Sequence, residues 1–434
     1  MTDRTTTAKP LQSARAPQAD RRGPAIHIAA LTLTKLADGL IDPKLVLPWL
    51  LHAAGAPGAA IGALVPVREA GALLPQIAFA RQVARSRRRA PVWAAGSALQ
   101  GLAALGIGFA ALTLSGWTAG AAVLAALAGL AVARAACSVS HKDALARTVP
   151  KAARGRVPGL AGSLGAALVL AAAALLAGGA IPLTLSGVAG LVVVAGGCWL
   201  AAGALFLALP EAAEDPGAAP ARTEWAALSR ALVEDRQLGR FIAARALLAV
   251  TALAPPFLVL LSGRAETGGE LGALGLLVIA SALASILSAW LWGRLADRSS
   301  RQTLAAAGVL GGAVFGTAAT AAFIGGTLGT PATAAAIFAG QLAYEGVRMA
   351  RKVHLTDMTT DATRAGYTAL SNTAIGLVLV LGGAFGLLAD VAGPQTVLAV
   401  FALLALFGAG AALRLDEVQA RRQSSNSVAE QSGT

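Results

Sequence analysis

The chain has 434 residues, of which 56% are hydrophobic and only 13% charged, and its mean hydropathy is +0.67. A water-soluble domain normally carries about 25% charged residues, so this composition excludes an ordinary soluble protein and predicts a membrane protein with several spans. The net charge of +13 suggests nucleic acid, but the charges alternate between the two sides of the predicted membrane. We therefore expect no nucleic-acid partner.

Apolar runs follow one another along the chain, and each is long enough to cross a bilayer core about 30 Å thick. Their number predicts an all-α membrane protein of twelve transmembrane helices. The spans are predicted at 26–50, 57–79, 91–114, 118–141, 157–180, 186–209, 238–262, 269–292, 303–327, 331–353, 365–389 and 393–414.

Basic residues mark every second loop. Arg and Lys crowd the N-terminal tail and the second, fourth and eighth loops, whereas the odd-numbered loops are almost free of them. The positive-inside rule then predicts that both termini are cytoplasmic. The N-terminal tail has no signal-peptide pattern, so the first span is expected to direct insertion. The excess of Arg over Lys, with abundant Ala and Gly, indicates a bacterial inner membrane.

The spans divide into two halves joined by a segment rich in Pro, Ala and acidic residues. Punctuating residues recur between the halves at a constant offset, as with Pro43 and Pro255. Parallel repeats of six spans are typical of secondary transporters that bind their solute near the midplane. The predicted parts are a cytoplasmic N-tail at 1–25, an N-terminal six-helix half at 26–209, a cytoplasmic linker with an amphipathic helix at 210–237, a C-terminal six-helix half at 238–414 and a cytoplasmic C-tail at 415–434.

Charged residues lie inside several spans, and the first span carries the densest set. Lys35, Asp38 and Asp42 are spaced to lie along one helical face, and Pro43 follows directly. We expect this helix to kink or unwind there, as helices that bind substrates or ions in membranes commonly do. The alternative is that Lys35 and Asp38 form an internal pair that only offsets the cost of burying charge.

The second, fourth and seventh spans carry further charges. Arg68 and Glu69 are neighbours that point about 100° apart, so they cannot readily satisfy each other. We expect Arg68 to reach an aspartate of the first span, and Glu69 to meet a cation or to pack against the eleventh span. A structural bridge between helices is the alternative. Arg134 and Arg245 are further candidates for binding an anionic or zwitterionic solute.

The tenth span presents a polar face that includes Gln341, Tyr344, Glu345 and Arg348. Glu345 and Arg348 are spaced for pairing on one helix, and a half-buried acid beside an Arg is suited to reversible protonation. His354 lies nearer the following loop and is expected at the surface.

The block GRLADRSSRQ at 293–302 separates the eighth and ninth spans and is expected to form a short turn. It resembles the cytoplasmic loop signature of the major facilitator superfamily of transporters. The resemblance implies close helix approach at Gly293, an internal pairing and helix-capping role for Asp297, and gate contacts from Arg298 and Arg301. The alternative is a basic loop that binds anionic lipid headgroups.

The second loop is a partial copy of this block. Arg85 and Arg88 occupy its basic positions, but alanines replace the Gly and the Asp. We therefore expect a gate that depends mainly on the second half. Arg154 and Arg364, which precede the fifth and eleventh spans, are expected to add gate contacts, unless they only determine topology.

These features predict a secondary active transporter that moves a small solute by alternating access, with Asp38, Asp42, Glu69 and Glu345 as candidate proton carriers. One alternative is a drug or metabolite efflux proton antiporter, because 42–48 resembles the first span of drug-proton antiporters. Another is a transport-dead scaffold on the same fold. The sequence has no phosphate-binding loop and no metal-ligand spacing, so we expect no enzyme activity, no cofactor and no metal. The expected partners are a small-molecule substrate, protons and the lipid bilayer, and we expect a monomer.

Overall fold

The computed structural model describes residues 22–150, 153–213, 235–262 and 273–419, which form α-helices and no β-strand. The first half contains α1 (Arg22–Leu40), α2 (Val46–Ala53), α3 (Gly58–Leu73), α4 (Gln76–Ala84), α5 (Ala90–Thr113), α6 (Gly116–Thr148), α7 (Arg156–Ala177) and α8 (Leu185–Leu207). The second half contains α9 (Arg236–Leu248), α10 (Val250–Leu253), α11 (Pro255–Leu261), α12 (Ala273–Arg298), α13 (Ser300–Gly325), α14 (Thr330–Met358), α15 (Asp361–Gly382), α16 (Ala384–Ala392) and α17 (Pro394–Leu413).

Nine helical stretches of the described residues are long and apolar enough to cross a membrane. They correspond to nine of the twelve predicted spans, so the predicted all-helical membrane architecture is confirmed while the number twelve is not fully confirmed. The first, second and tenth predicted spans are missing from the nine. Their helices are broken, as between α1 and α2 and between α3 and α4, or carry charge through their middle, as α14 does.

The first predicted span is interrupted where Pro43 lies, as the sequence predicts. Helix α1 ends at Leu40 and α2 begins at Val46. The Asp42 carboxylate accepts a hydrogen bond of 2.6 Å from the backbone N–H of Lys44, which gives the unwound backbone a local partner. The seventh span is interrupted in the same way, because α9, α10 and α11 follow one another with single-residue breaks and α11 begins at Pro255.

The two halves repeat one packing pattern. Helix α5 packs against α6 and α8, and its counterpart α13 packs against α14 and α17. Helix α1 packs against α7 and α8, and its counterpart α9 packs against α15 and α17. The large apolar core joins both halves and contains fully buried aromatic residues such as Trp199, Phe315 and Phe401. The repeat detected in the sequence is therefore also a repeat of helix contacts.

The expected turn at 293–302 is much shorter than the sequence suggested. Helix α12 continues to Arg298 and α13 begins at Ser300, so most of the block is helical. Ser299 caps α13, because its hydroxyl accepts a hydrogen bond from the backbone N–H of Gln302. Charge alone suggested a loop, whereas Arg side chains at a helix end can extend toward water without interrupting the helix.

We call the helix ends near Arg89 and Arg298 the basic side and the opposite ends the far side. The halves meet most closely on the far side. A Cβ atom placed on Gly62 of α3 would lie 2.6 Å from Cα of Gly386 of α16, so only a glycine fits there. A Cβ on Gly275 of α12 would likewise lie 2.5 Å from the backbone nitrogen of Ala177 of α7.

One acid also joins the halves on the far side. The Asp390 carboxylate of α16 accepts hydrogen bonds from the backbone N–H groups of Gly58 (2.6 Å) and Ala59 (2.8 Å). It therefore caps the N-terminus of α3, where a negative charge is favourable. The glycine contacts and this cap together form the far-side seal.

The predicted amphipathic linker helix, with Trp225, Leu228 and Leu232, lies outside the described residues, as do most of the two predicted tails. The five predicted parts of the chain stay predictions.

Candidate substrate site

A cavity of about 380 Å³ lies between the two halves and is lined mainly by polar and charged side chains. A second cavity, of about 440 Å³, adjoins it and extends between α7 and α12. The two cavities share Asp38, Asp42, Gln341, Glu345 and Arg348. We call the combined space the central cavity. Of the ten predicted substrate and proton residues, nine line it: Lys35, Asp38, Asp42, Arg68, Glu69, Arg134, Tyr344, Glu345 and Arg348.

Asp38 is the most strongly bound acid of the cavity. Both guanidinium NH2 groups of Arg134 donate to its two carboxylate oxygens, at 2.7 and 2.6 Å. Arg68 donates to the same carboxylate at 3.3 Å, as the sequence predicted for one of the first-span aspartates. The bidentate geometry makes the Arg134 contact the stronger of the two. One carboxylate thus links α1, α3 and α6.

Asp42 and Glu69 also line the cavity, but among the described residues neither forms an ion pair. The Asp42 carboxylate is bound by the backbone N–H of Lys44, within the break in the first span. For Glu69 the sequence predicted contact with a cation or packing against the eleventh span. Its helix α3 packs against α15 of that span, and its carboxylate faces the cavity.

The second half contributes the opposite wall. Glu345 accepts a hydrogen bond of 2.8 Å from Arg348 Nε, on the same helix. Gln341, one turn earlier, donates to Glu345 at 3.2 Å and to Ser285 of α12 at 3.1 Å. The predicted pair of Glu345 and Arg348 is therefore present, and the Gln341 side-chain amide connects it to Ser285 of α12.

Lys44 and Tyr344 meet across the cavity. The Lys44 ammonium lies 3.1 Å from the centroid of the Tyr344 ring, in a cation–π contact. Lys44 lies within the break in the first span and Tyr344 belongs to α14, so this contact joins the two halves.

Two predicted residues lie apart from this cluster. Lys35 lines the part of the cavity between α7 and α12, and in the described chain it forms no ion pair with Asp38. Arg245 does not line the central cavity. It is buried between α9 and α15, where it donates to the Ser371 hydroxyl at 2.6 Å and to the Asn372 amide oxygen at 3.0 Å.

The predicted gate residues lie on the basic side, where contacts run within each half. In the first half Glu211 accepts from the backbone N–H groups of Arg89, at 2.7 and 2.8 Å, and of Ala90, at 2.8 Å, and so caps α5. The Arg89 side chain pairs with Asp143 of α6, which also binds Arg147 at 3.3 Å.

The second half repeats this arrangement. Arg301 pairs with Glu417 at 2.9 Å, and Gln419 joins the backbone N–H of Ser300 to Asp357 of α14. His354 belongs to the same cluster: it is fully buried and its Nδ1 lies 2.8 Å from the Ser300 hydroxyl. The expectation of a surface histidine is wrong, because α14 continues past the membrane core and packs this turn against α9 and α13.

Among the remaining gate residues, Gly293, Asp297, Arg298, Arg85, Arg88 and Arg154 show no contact between the halves in the described chain. Asp297 and Arg298 are exposed at the end of α12, and a Cβ on Gly293 would meet nothing within 4 Å. Arg154 donates to the backbone oxygen of Val149 nearby. Arg85 and Arg88 are exposed and Arg364 lies half-buried at the start of α15.

Sequence reasoning missed Asp390, Glu211 and the partner of Lys44. The role of Asp390 could not be predicted from a local sequence pattern, because its backbone partners lie more than three hundred residues away along the chain. The basic-side acids could have been found, since Asp143 and Asp357 follow corresponding spans of the two halves. Within the described chain, no group of three or more His, Cys, Asp or Glu residues could hold a metal ion.

Comparisons with known proteins agree with this architecture. Residues 249–432 match the family model of the Major Facilitator Superfamily. No curated protein sequence matches the chain.

Solved transporter structures share the fold over almost the whole length. The nucleoside transporter NupG superposes with a TM-score of 0.66 at 15% identity, covering 90% of this chain and 98% of that one. A POT family transporter in complex with 5-aminolevulinic acid gives 0.66 at 10%, covering 91% and 96%. A bacterial homologue of the human lysosomal transporter Spinster, in an inward-facing and unoccupied conformation, gives 0.61 at 13%, covering 92% and 99%.

At these identities the similarity to solved structures shows only the fold. The sequence match of residues 249–432 is what indicates the family. The second half of the chain, residues 249–432, thus matches the Major Facilitator Superfamily, and the described chain has the all-helical, multi-pass membrane fold of the transporters it is similar to.

Proposed function

We propose that the protein carries a small polar solute across the membrane by proton-coupled alternating access, with the central cavity as the solute site. The observation that carries the proposal is the Asp38 carboxylate, bound by Arg134 and Arg68 beside a broken helix and between the two halves. Charged groups are costly in a bilayer and are retained mainly where they bind solutes, ions or protons. Unwound helices at the midplane serve the same purpose in other transporters.

Asp38 and Glu345 are the proposed proton carriers. Each is bound by an Arg, so protonation of the acid releases a guanidinium group that can bind an anionic part of the solute. A solute that binds Arg134 or Arg348 in turn weakens the hold of that Arg on its acid and favours proton uptake. Binding of the solute and binding of the proton are thereby coupled.

The far-side seal and the basic-side networks supply the two gates of the proposal. The glycine contacts and the Asp390 cap close the far side, while the basic-side contacts join residues of the same half. We propose that the seal opens when the basic side closes. Asp297 and Arg298, with Arg85, Arg88 and Arg154, are then available for contacts between the halves, and Arg364 at the start of α15 is proposed to lie at the same closing face. The distribution of basic residues further suggests that the basic side is cytoplasmic in a bacterial inner membrane, and we propose a monomeric carrier.

Transport in vesicles tests this proposal. The purified protein is reconstituted with a pH-sensitive dye inside the vesicles, and a panel of small solutes is screened for proton movement. Asp38→Asn and Glu345→Gln are each expected to abolish solute-dependent proton movement. Arg240→Gln, which removes an exposed charge at the basic end of α9, is the matched control and should retain it. Solute uptake that persists in Asp38→Asn would contradict the carrier assignment. The absence of flux for every solute would contradict transport itself and favour a scaffold.

The far-side seal needs a separate test. Gly62→Ala forces a Cβ against Gly386, so the far side should open, whereas at Gly106 an added Cβ meets nothing within 4 Å and Gly106→Ala is the control. Spin labels at Leu114 and Ile324, both exposed on the far side, report the distance between the halves. An unchanged distance distribution in Gly62→Ala would show that the seal is not the far-side gate.

A further inference from the structure

The contact between Lys44 and Tyr344 places a cation on an aromatic face inside the central cavity. The ammonium lies 3.1 Å from the ring centroid. Aromatic faces attract ammonium groups through the ring quadrupole, and proteins that bind quaternary ammonium ligands use the same interaction. The Tyr344 ring can therefore bind an ammonium group, and in this structure the ammonium group that it binds is that of Lys44.

The acids of the cavity fit such a ligand. Asp38 and Glu345 have Arg partners, but Asp42 and Glu69 form no ion pair among the described residues. Lys44 binds Asp42 through its backbone N–H, while its ammonium is turned to the ring. In the described chain neither carboxylate has a cation within ion-pair distance, although guanidinium groups of the cavity lie near enough to Glu69 to interact with its charge. A direct cation partner for either acid would lower the cost of keeping it in a membrane cavity.

We propose that the Lys44 ammonium occupies the place of a cationic group of the solute. The transported solute carries an ammonium group that displaces Lys44 from the Tyr344 ring and lies within reach of Asp42 and Glu69. The displaced Lys44 side chain, released from α14, no longer joins the two halves. This inference rests on the proposed function, because it names the class of solute that the central cavity takes.

Binding of a matched pair of probes tests the inference without any transport step. The probes are choline and its neutral isostere 3,3-dimethyl-1-butanol, added to the purified full-length protein in lipid nanodiscs, with the thermal unfolding midpoint as the readout. Choline is expected to raise the midpoint and the neutral isostere to leave it unchanged. Lys44→Met removes the competing cation and should bind choline about fivefold more tightly than the wild type.

Conservative variants separate the role of the ring from effects on folding. Lys44→Arg keeps a cation over the ring and should bind choline as the wild type does. In the Lys44→Met background, Tyr344→Phe keeps the aromatic face and should retain tight binding, whereas Tyr344→Leu should lose it. Equal choline affinity in the wild type and Lys44→Met, equal shifts with both probes, or choline binding that survives Tyr344→Leu would each overturn the inference.

The two proposals fail in distinguishable ways. Tighter choline binding by Lys44→Met without proton movement in vesicles would contradict the proposed coupling only. Proton-coupled flux of some other solute, with no choline response in Lys44→Met, would contradict only the assignment of an ammonium solute.

Discussion

The two walls of the central cavity each hold an acid paired with an arginine, but they are built differently. In the first half, Asp38 of α1 is bound by Arg134 of α6 through two hydrogen bonds and by Arg68 of α3 through a third. In the second half, Glu345 is bound by Arg348, which lies one turn further along the same helix. One acid therefore joins three helices, whereas the other pairs within one.

Exposure separates the two walls further. The difference lies in the arginines: Arg134 and Arg68 are 24% and 12% exposed, whereas Arg348 is 48% exposed, while the acids Asp38 and Glu345 are both shielded, at 21% and 12%. Removing one member of a charge pair that is shielded from water is costly, because the remaining charge is left buried without its partner. The first-half wall is thus a fixed part of the bundle, whereas in the second half the exposed Arg348 can leave Glu345 for another partner. A carrier needs both properties, since the solute must be positioned and later released.

Asp38→Asn should have the largest effect on stability. The substitution leaves the Arg134 and Arg68 guanidinium groups in the cavity without their carboxylate, and such a loss costs about 3 to 5 kcal/mol. The measurement is the free energy of unfolding from denaturant titration in mixed micelles. The double variant Asp38→Asn/Arg134→Gln should recover part of the loss, because one unpaired charge is removed. A double variant that is less stable than Asp38→Asn would contradict this account.

Arg134→Lys should come second. The charge is kept, but a single ammonium group cannot make the paired contacts of a planar guanidinium with both carboxylate oxygens. We expect a loss of about 2 kcal/mol, since one charge-assisted hydrogen bond contributes about 1.5 to 3 kcal/mol. If Arg134→Lys were as stable as the wild type in the same titration, the bidentate geometry would not be what holds α1 to α6.

Arg68→Gln tests the weaker contact of the same wall. The 3.3 Å bond is longer than an ordinary charge-assisted hydrogen bond, and Asp38 keeps Arg134 as a partner. We expect a loss of about 1 kcal/mol or less in the free energy of unfolding. A loss as large as that of Asp38→Asn would mean that Arg68, and not Arg134, is the main partner of the carboxylate.

Some features of the molecule could be predicted from its sequence, and others could not. The fold class followed from composition and the length of the apolar runs, and the break at Pro43 followed from proline itself, which cannot continue the hydrogen-bond pattern of a helix. Of the charges predicted to face a cavity, those inside spans one, two, four and ten line the central cavity, whereas Arg245 of the seventh span does not; burial in a bilayer favours such groups sharing a cavity.

The partners of those charges were less predictable. Helical spacing finds pairs on one helix, such as Glu345 with Arg348, but the Asp38 and Arg134 pair depends on how α1 and α6 are rotated against each other. Arg245 was singled out only as a charge inside the seventh span, and that observation could not tell that its side chain turns away from the cavity toward Ser371. The contacts of Lys44 and Asp390 join the two halves, whose relative placement leaves no local pattern in the chain.

Glu345→Gln should have the smallest effect on the free energy of unfolding, in contrast to Asp38→Asn in the first-half wall. Its partner Arg348 is about half exposed and lies on the same helix, so although the Glu345 side chain is only 12% exposed, we expect a contribution close to that of such helix pairs, about 0.3 to 0.5 kcal/mol. The glutamine can still accept from Arg348, so the unfolding free energy should change by less than about 0.5 kcal/mol. Solute-dependent proton movement should nevertheless be lost, because an amide cannot take up and release the proton. A variant that transports normally would assign the proton to Asp38 alone. A loss of several kcal/mol would show that the second-half wall is as rigid as the first.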